Sequence, residues 1–186
     1  MGAGVIPFAV LNEEIRFLFH KTFSGRRAGY LVDFGGGGRE GESYRDTAIR
    51  EFIEETETMF FSDRVADAVR SDRRVSEQIP RMESLFDRTL SACPSCWCQR
   101  APGSKVPPKD WRTFFIEFDY RDVEDMNREW RSEDAWRFSK PRHLLWVSAD
   151  ELLEIYRHEP ERLWKRVRQL QGAEETILDI VRGFPR

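Results

Sequence analysis

At 186 residues the chain is long enough for one domain with a well-buried core, and 14 Phe, 6 Trp and 4 Tyr are available to fill it. Charged residues make up 34% of the sequence but nearly cancel at a net charge of -3, so no overall field announces nucleic acid or membrane as partner. All but five of the 30 cationic side chains are Arg, whose planar fork suits phosphate; alone, such a bias can also be mere composition.

The opening, MGAGVIPFAVLNEE, lacks the basic region and long apolar run of a secretory signal and the Arg and Ser content of a mitochondrial transit peptide. Ile6 stands where a myristoylation motif wants Ser or Thr, so a cytoplasmic protein without a lipid anchor is expected. No apolar run approaches the roughly 18 residues that a membrane span needs. Three cysteines crowd into CPSCWC, an odd number that argues against a secreted disulfide framework.

In chain order, Val5 to Thr22 reads as two β-rich runs around NEE, a hairpin, and Gly29 to Phe34 as a third strand running into the glycines of FGGGG, read as a loop. Ser43 and Asp46 form a capping-box signature for a helix from about Tyr44 to Thr56, with Ala48, Ile49, Phe52 and Ile53 as its apolar side. From 61 to 109 the pattern is weak: helical around Arg64 to Val69, broken at Pro80, ambiguous over Met82 to Leu90, then a loop from Cys93. Strands are predicted at Trp111 to Tyr120 and His143 to Ser148, joined by an acidic, Trp-bearing connection. Ser148 and Glu151 make a second capping box, and helical patterns follow at Glu161 to Leu170 and Ala173 to Val181, punctuated by Gly172. This order gives an α/β (α+β) sandwich.

On a helix, Glu51, Glu54 and Glu55 stand at i, i+3 and i+4, so their carboxylates project to one side. Without counter-charge that is unfavourable; Arg50 can pair with one carboxylate, and a hard divalent cation can bind the oxygens. Glycines beside such a cluster let backbone approach the ions and a phosphate closely, and a carbonyl there can be a further ligand. The bland alternative is a solvated acidic helix face behind a flexible loop.

Spacing favours the first reading. Gly36, Glu42, Arg50-Glu51-Phe52 and Glu54-Glu55 stand at the offsets of Gly-x5-Glu-x7-Arg-Glu-U-x-Glu-Glu-x-Gly-U, with U a bulky apolar residue. The segment resembles the Nudix box. AGV, FLFHK, FGGGGREGES and LLWVSADELLE resemble other segments of that superfamily, so the likeness spans roughly residues 3 to 60 and 111 to 155. Two departures stand out: Glu57 and Thr58 replace the closing Gly and apolar residue, and Phe34 replaces the Pro common before the glycines. Loss of the closing Gly predicts a lost left-handed helix end, with the helix free to run on toward Met59 and Phe60.

The resemblance implies a Nudix-like α/β/α sandwich with a mixed sheet, residues 1–186 forming one domain with an insertion at 61–109 and a helical extension at 149–186. It implies a hydrolase splitting the diphosphate of a nucleoside diphosphate linked to another group, with Mg²⁺ or Mn²⁺ held by Glu51, Glu54, Glu55 and the carbonyl of Gly35 or Gly36. Arg50 would orient a glutamate and Glu42 would brace the loop. Gly35, Gly36, Gly37 and Arg39 would meet the phosphates. The general base would be Glu51, Glu54 or an acid from a later loop: Glu133 is favoured, with Glu129 and Glu117 as alternatives. A small-molecule nucleotide derivative is the expected partner, an RNA 5′ end an open second substrate, and a homodimer is left open. The competing function is a catalytically silent Nudix-fold module that binds a nucleotide, an RNA end or a protein. CPSCWC offers three thiolates to zinc but no fourth ligand at finger-like spacing. Trp130 and Trp136 are candidates for base stacking or for core. Residues 61–109 are expected to select substrate.

Overall fold

A computed structural model describes residues 1–68, 71–102 and 110–184. At its centre lies a six-stranded mixed sheet of β1 (Gly2–Leu11), β2 (Glu14–Thr22), β3 (Phe34–Gly37), β4 (Trp97–Gln99), β5 (Trp111–Glu117) and β6 (Arg142–Ser148), in the order β4-β5-β1-β2-β6 with β3 also paired to β1. Only β1 and β5 run parallel; the other pairs are antiparallel. Side chains alternate across the sheet as the period of two demands. Ala3, Val5, Leu18, Phe114 and Ile116 join one hydrophobic cluster with the helices α1 (Tyr44–Glu55), α2 (Asp72–Ala92) and α3 (Glu124–Trp130). Ile6, Phe8, Phe17, Phe19 and Phe115 join a second with α4 (Ala149–His158), α5 (Lys165–Arg168) and α6 (Ala173–Gly183). The result is the expected α/β/α sandwich. Among the described residues, no helix is long and apolar enough to cross a membrane.

Two features of β1 open a cleft. One edge pairs with β5 from Gly2 to Phe8, while the other pairs first with β3 over Gly2–Val5 and then with β2 over Phe8–Leu11. Pro7, which has no N–H to donate, falls at this changeover, where β2 and β3 diverge. The β1–β2 hairpin turns at Asn12 and Glu13, both left-handed at φ 50° and 64°. It matches the reading around NEE.

Several expectations need correction. The glycines are strand rather than loop: Gly35–Gly37 lie in β3, whereas Leu31 and Val32 make only isolated bridges. The cause is close backbone approach, since a Cβ on Gly35 would stand nearer than 3.0 Å to the Ala3 carbonyl and the Gly4 Cα. Helix α1 ends at Glu55 and does not run on; Glu57 and Thr58 keep left-handed backbone at φ 51° and 62° without a glycine. That conformation costs a non-glycine residue about 1 kcal/mol, which contacts of the side chain must offset.

In the described part of 61–109, a long helix and an edge strand each contribute buried residues to the core. Pro80 does not break α2, which runs through it from its Ser71 cap, because Val75, Ile79, Met82, Phe86 and Leu90 form one apolar stripe against the sheet and α1. The helical pattern at Arg64 to Val69 becomes only a 3₁₀ turn at Val65–Asp67, Val69 lying outside the described residues. CPSCWC is a turn over Cys93–Cys96, as expected, but the chain then enters edge strand β4 at Trp97–Gln99; Cys96 and Cys98 are buried, and residues 103–109 lie outside the described residues. Cys93 and Cys96 form a local disulfide, and the Cys98 thiol instead meets the Thr176 hydroxyl at 3.3 Å, so the three sulfurs form no zinc site. In the acidic connection, Trp130 is buried core beneath Phe138, while Trp136 is 83% exposed. The pattern at Glu161 to Leu170 splits into a 3₁₀ turn at Pro160–Arg162 and the short α5.

Candidate active site

The capping box forms as its residues predict: the Ser43 hydroxyl accepts from Asp46 N–H and the Asp46 carboxylate accepts from Ser43 N–H, which starts α1 at Tyr44. This fixes the helix phase so that Arg50 and Glu51 face β3. At the contact, a Cβ on Gly36 would fall inside 3.0 Å of all three terminal atoms of the Glu51 carboxylate. Any side chain there would force the Glu51 carboxylate aside.

Arg50 ties three segments together. Its Nε and Nη2 donate to the Glu42 carboxylate at 2.7 and 3.0 Å, Nη2 also donates to the Gly37 carbonyl at 2.9 Å, and Nη1 donates to Glu51 at 2.8 Å. The Arg50 guanidinium holds the Glu42 carboxyl down at about 2, with help from the Arg39 N–H and the Thr47 hydroxyl. Burial pushes the Glu51 carboxyl up, and Arg50 opposes that rise.

The other two acids have their own counter-charges. Glu54 pairs with Arg39 at 2.9 Å and approaches Arg50 at 3.4 Å. Glu55 accepts from Arg142 Nη2 at 2.8 Å and from Gly35 N–H at 2.9 Å, with His20 at 3.5 Å and Arg27 at 3.8 Å. Burial would raise the Glu55 carboxyl, but His20 and the guanidiniums of Arg142 and Arg166 hold it well below the usual carboxylate range. His20 is fully buried against Phe34, and that burial lowers its imidazole pKa while Glu55 opposes the fall.

Glu51, Glu55 and Gly35–Gly37 line a cavity of about 730 Å³. Its remaining walls carry Arg26, Arg27, Lys140 and Arg142, with Phe23 at the edge. Glu54 and Arg39 open instead onto a second hollow of about 330 Å³ between α1 and α2. Of the acids expected from later loops, none lines either space: Glu133 is exposed on a 3₁₀ turn, Glu129 pairs with Arg137, and Glu117 lies near Arg88. Acidic composition marked that connection, but α3 and the 3₁₀ turn carry its carboxylates away from the glycines. Sequence reasoning missed Arg26, Arg27, Lys140 and Arg142, whose only local signal is a basic pair after Ser24 and a Lys-Pro-Arg run before β6.

Among the described residues, no group of three His, Cys, Asp or Glu side chains converges as a metal site. The donor chemistry nevertheless fits a hard divalent cation: three carboxylates on one helix segment, and a glycine strand that approaches Glu51 with no Cβ between them. Arginines neutralise these carboxylates here, which answers the expected repulsion without an ion.

An Ap4A hydrolase from C. elegans, solved as a binary complex, is similar over 98% of each chain at 13% identity, with a TM-score of 0.54. A Nudix hydrolase from M. smegmatis, RenU, is similar over 99% of this chain and 87% of its own at 12% identity and a TM-score of 0.46. One from Alicyclobacillus acidocaldarius covers 97% and 90% at 14% identity and a TM-score of 0.42. The chain has the Nudix fold. No family model and no curated protein matches the sequence. In the Nudix fold of this chain, the box residues sit where the divergence of β2 and β3 opens the sheet.

Proposed function

We propose that this chain is a Mg²⁺- or Mn²⁺-dependent hydrolase that cleaves the diphosphate of a nucleoside diphosphate linked to another group. The observation that carries the reading is the Gly36–Glu51 contact at the foot of a cavity whose other walls bear four cations. Glu51, Glu54, Glu55 and the Gly36 carbonyl would hold the metal, which when bound supplies charge neutralisation to the diphosphate oxygens.

The chain's own groups have distinct tasks. Gly35, Gly36 and Gly37 present backbone without side chains to the phosphates, and Arg26, Arg27, Lys140 and Arg142 offset their charge. Arg39 pairs with Glu54 and orients it. Arg50, braced by Glu42, holds Glu51 in place. Glu51 is the best-placed base, because it lines the cavity and lies against the glycine strand that would meet the phosphates. It takes a proton from water as the water oxygen bonds to one phosphorus, the bridging P–O bond breaks, and the other phosphate leaves with the electron pair. Glu133 is the less favoured base, given its place outside the cavity.

The testing experiment is a screen for phosphate or nucleotide release from nucleoside diphosphate derivatives, dinucleoside polyphosphates and 5′-capped RNA, with Mg²⁺ or Mn²⁺, in the wild type and Glu51→Gln. Metal-dependent turnover that falls by about 100-fold or more in the variant supports the reading. Turnover that ignores metal, or an unimpaired Glu51→Gln, overturns it. The second reading, a silent nucleotide-binding module, draws on the complete pairing of the three box carboxylates with arginines. Binding without turnover in the same screen would favour it.

A further inference from the structure

Glu57 occupies the position of the box's closing glycine and keeps that glycine's left-handed backbone, at φ 51°. Its side chain points inward and is 1% exposed. One carboxylate oxygen, Oε1, accepts three hydrogen bonds: from Ser139 N–H at 3.1 Å, Ser139 Oγ–H at 2.9 Å and Lys140 N–H at 3.1 Å. All three donors belong to the turn that enters β6, more than 80 residues away in sequence. Such convergence on one charged acceptor is the strong kind of hydrogen bonding, and it fixes the turn to the end of the metal helix.

That turn is a wall of the cavity. Ser139, Lys140, Pro141 and Arg142 all line it. Arg142 is buried; its Nη1 donates to the Lys140 carbonyl at 2.7 Å and its Nη2 to Glu55 at 2.8 Å. Its Nε has no hydrogen-bond partner among the described residues, although it is buried. That N–H is enclosed as the protein stands, so Arg142 contributes to the wall by its charge and by its hold on the Lys140 carbonyl. The exposed Lys140 ammonium stands on the same wall, and Arg26 and Arg27 complete a cationic lining that suits phosphoryl oxygens.

We infer that Glu57 is a positioning residue: it holds the Ser139–Arg142 turn so that Lys140 and Arg142 receive a phosphate group of the substrate. The inference rests on the proposed hydrolase function and deepens it. The departure from the box thereby acquires a purpose, because a glycine at this position would satisfy the backbone but leave the turn untethered.

The test uses the full chain with Mg²⁺ and inorganic pyrophosphate as probe, measured by isothermal titration calorimetry, beside unfolding without ligand and kinetics on a substrate from the screen. Glu57→Gly should raise the pyrophosphate Kd and the substrate KM by about tenfold with kcat changed less than about threefold. Its unfolding midpoint should stay close to that of the wild type, since glycine takes the left-handed backbone freely. Glu57→Gln, which keeps a carbonyl acceptor, should bind within about threefold of the wild type. Lys140→Ala, at an exposed side chain with no part in the core, should weaken pyrophosphate by about fivefold, and serves if Glu57→Gly fails to fold. Wild-type pyrophosphate affinity in folded Glu57→Gly or in Lys140→Ala overturns the inference. Hydrolysis with unchanged KM in Glu57→Gly removes the subsite but leaves the hydrolase. Loss of pyrophosphate binding in Glu57→Gly, with no turnover of any substrate by the wild type, removes the hydrolase but leaves the subsite.

Discussion

Substituting Gly36 by Ala inserts one methyl group between β3 and the Glu51 carboxylate. Its Cβ would lie within 3.0 Å of Oε1, Oε2 and Cδ, and ordinary contact requires the carboxylate to retreat by about 1 Å. Glu51 ends a flexible side chain and can retreat, but its 2.8 Å bond from Arg50 Nη1 then stretches or breaks. The expected stability loss is at the low end of overpacking, about 1 kcal/mol. The expected activity loss is larger, about 100-fold in kcat, because displacement of a reacting group by this distance removes the attack geometry. Neighbouring glycines provide the comparison. Gly37→Ala meets no protein atom within 4 Å and should leave stability unchanged or higher by about 0.5 kcal/mol, so any loss of turnover there comes from the phosphate side of the strand and not from Glu51. Gly35→Ala collides with the β1 backbone, which cannot swing aside, and should destabilise the fold before it affects chemistry. Metal-dependent hydrolysis and thermal unfolding on the three purified variants decide the matter. A Gly36→Ala enzyme as active as the wild type would refute the assignment of the Gly36–Glu51 contact to catalysis.

Three further predictions follow from the same charges. Mg²⁺ or Mn²⁺ should raise the unfolding midpoint by mass action in a concentration-dependent way, and Glu51→Gln should diminish that rise; an equal shift in both would remove Glu51 from the ligands. Glu55→Gln should lower stability by roughly 3 kcal/mol in denaturant unfolding without metal, because buried Arg142 loses its counter-charge. A rise would mean that repulsion among the box acids outweighs this pairing. Glu42, held at about 2 when folded against 4.5 as its ordinary value, contributes stability above pH 4.5 that is lost as pH falls toward 2. Glu42→Gln should therefore flatten the acid limb of the stability curve, by about 1 to 2 kcal/mol after solvent screening, and an unchanged slope would contradict the Arg50 pairing.

What could be read from the sequence is what depends on neighbours along the chain. The phase of α1 follows from Ser43, Asp46 and the 3.6-residue period, so Glu51 and its glycine strand could be expected near one another before any tertiary contact was known. The strand character of those glycines could not, because it depends on Ala3 and Gly4 across the sheet. Pro80 misleads for a related reason: its local helix penalty is outweighed by Val75, Met82 and Phe86 burying against α1 and β5, a gain that no window around Pro80 contains. Glu133 shows the opposite limit: an acidic composition signals solvent exposure as readily as chemistry, and the structure places this residue exposed on a 3₁₀ turn outside the cavity.

Glu57 lies between these cases. Comparison with the box marks it as anomalous, and backbone physics says that a side chain in left-handed geometry must be compensated. Neither names Ser139 and Lys140 as its partners. Because the compensation comes from a turn far along the chain, the anomaly couples the helix end to the cationic wall, and a substitution at either end should register at the other. A Ser139→Ala, Glu57→Gly double-mutant cycle on pyrophosphate affinity measures that coupling, and strict additivity would separate the two residues.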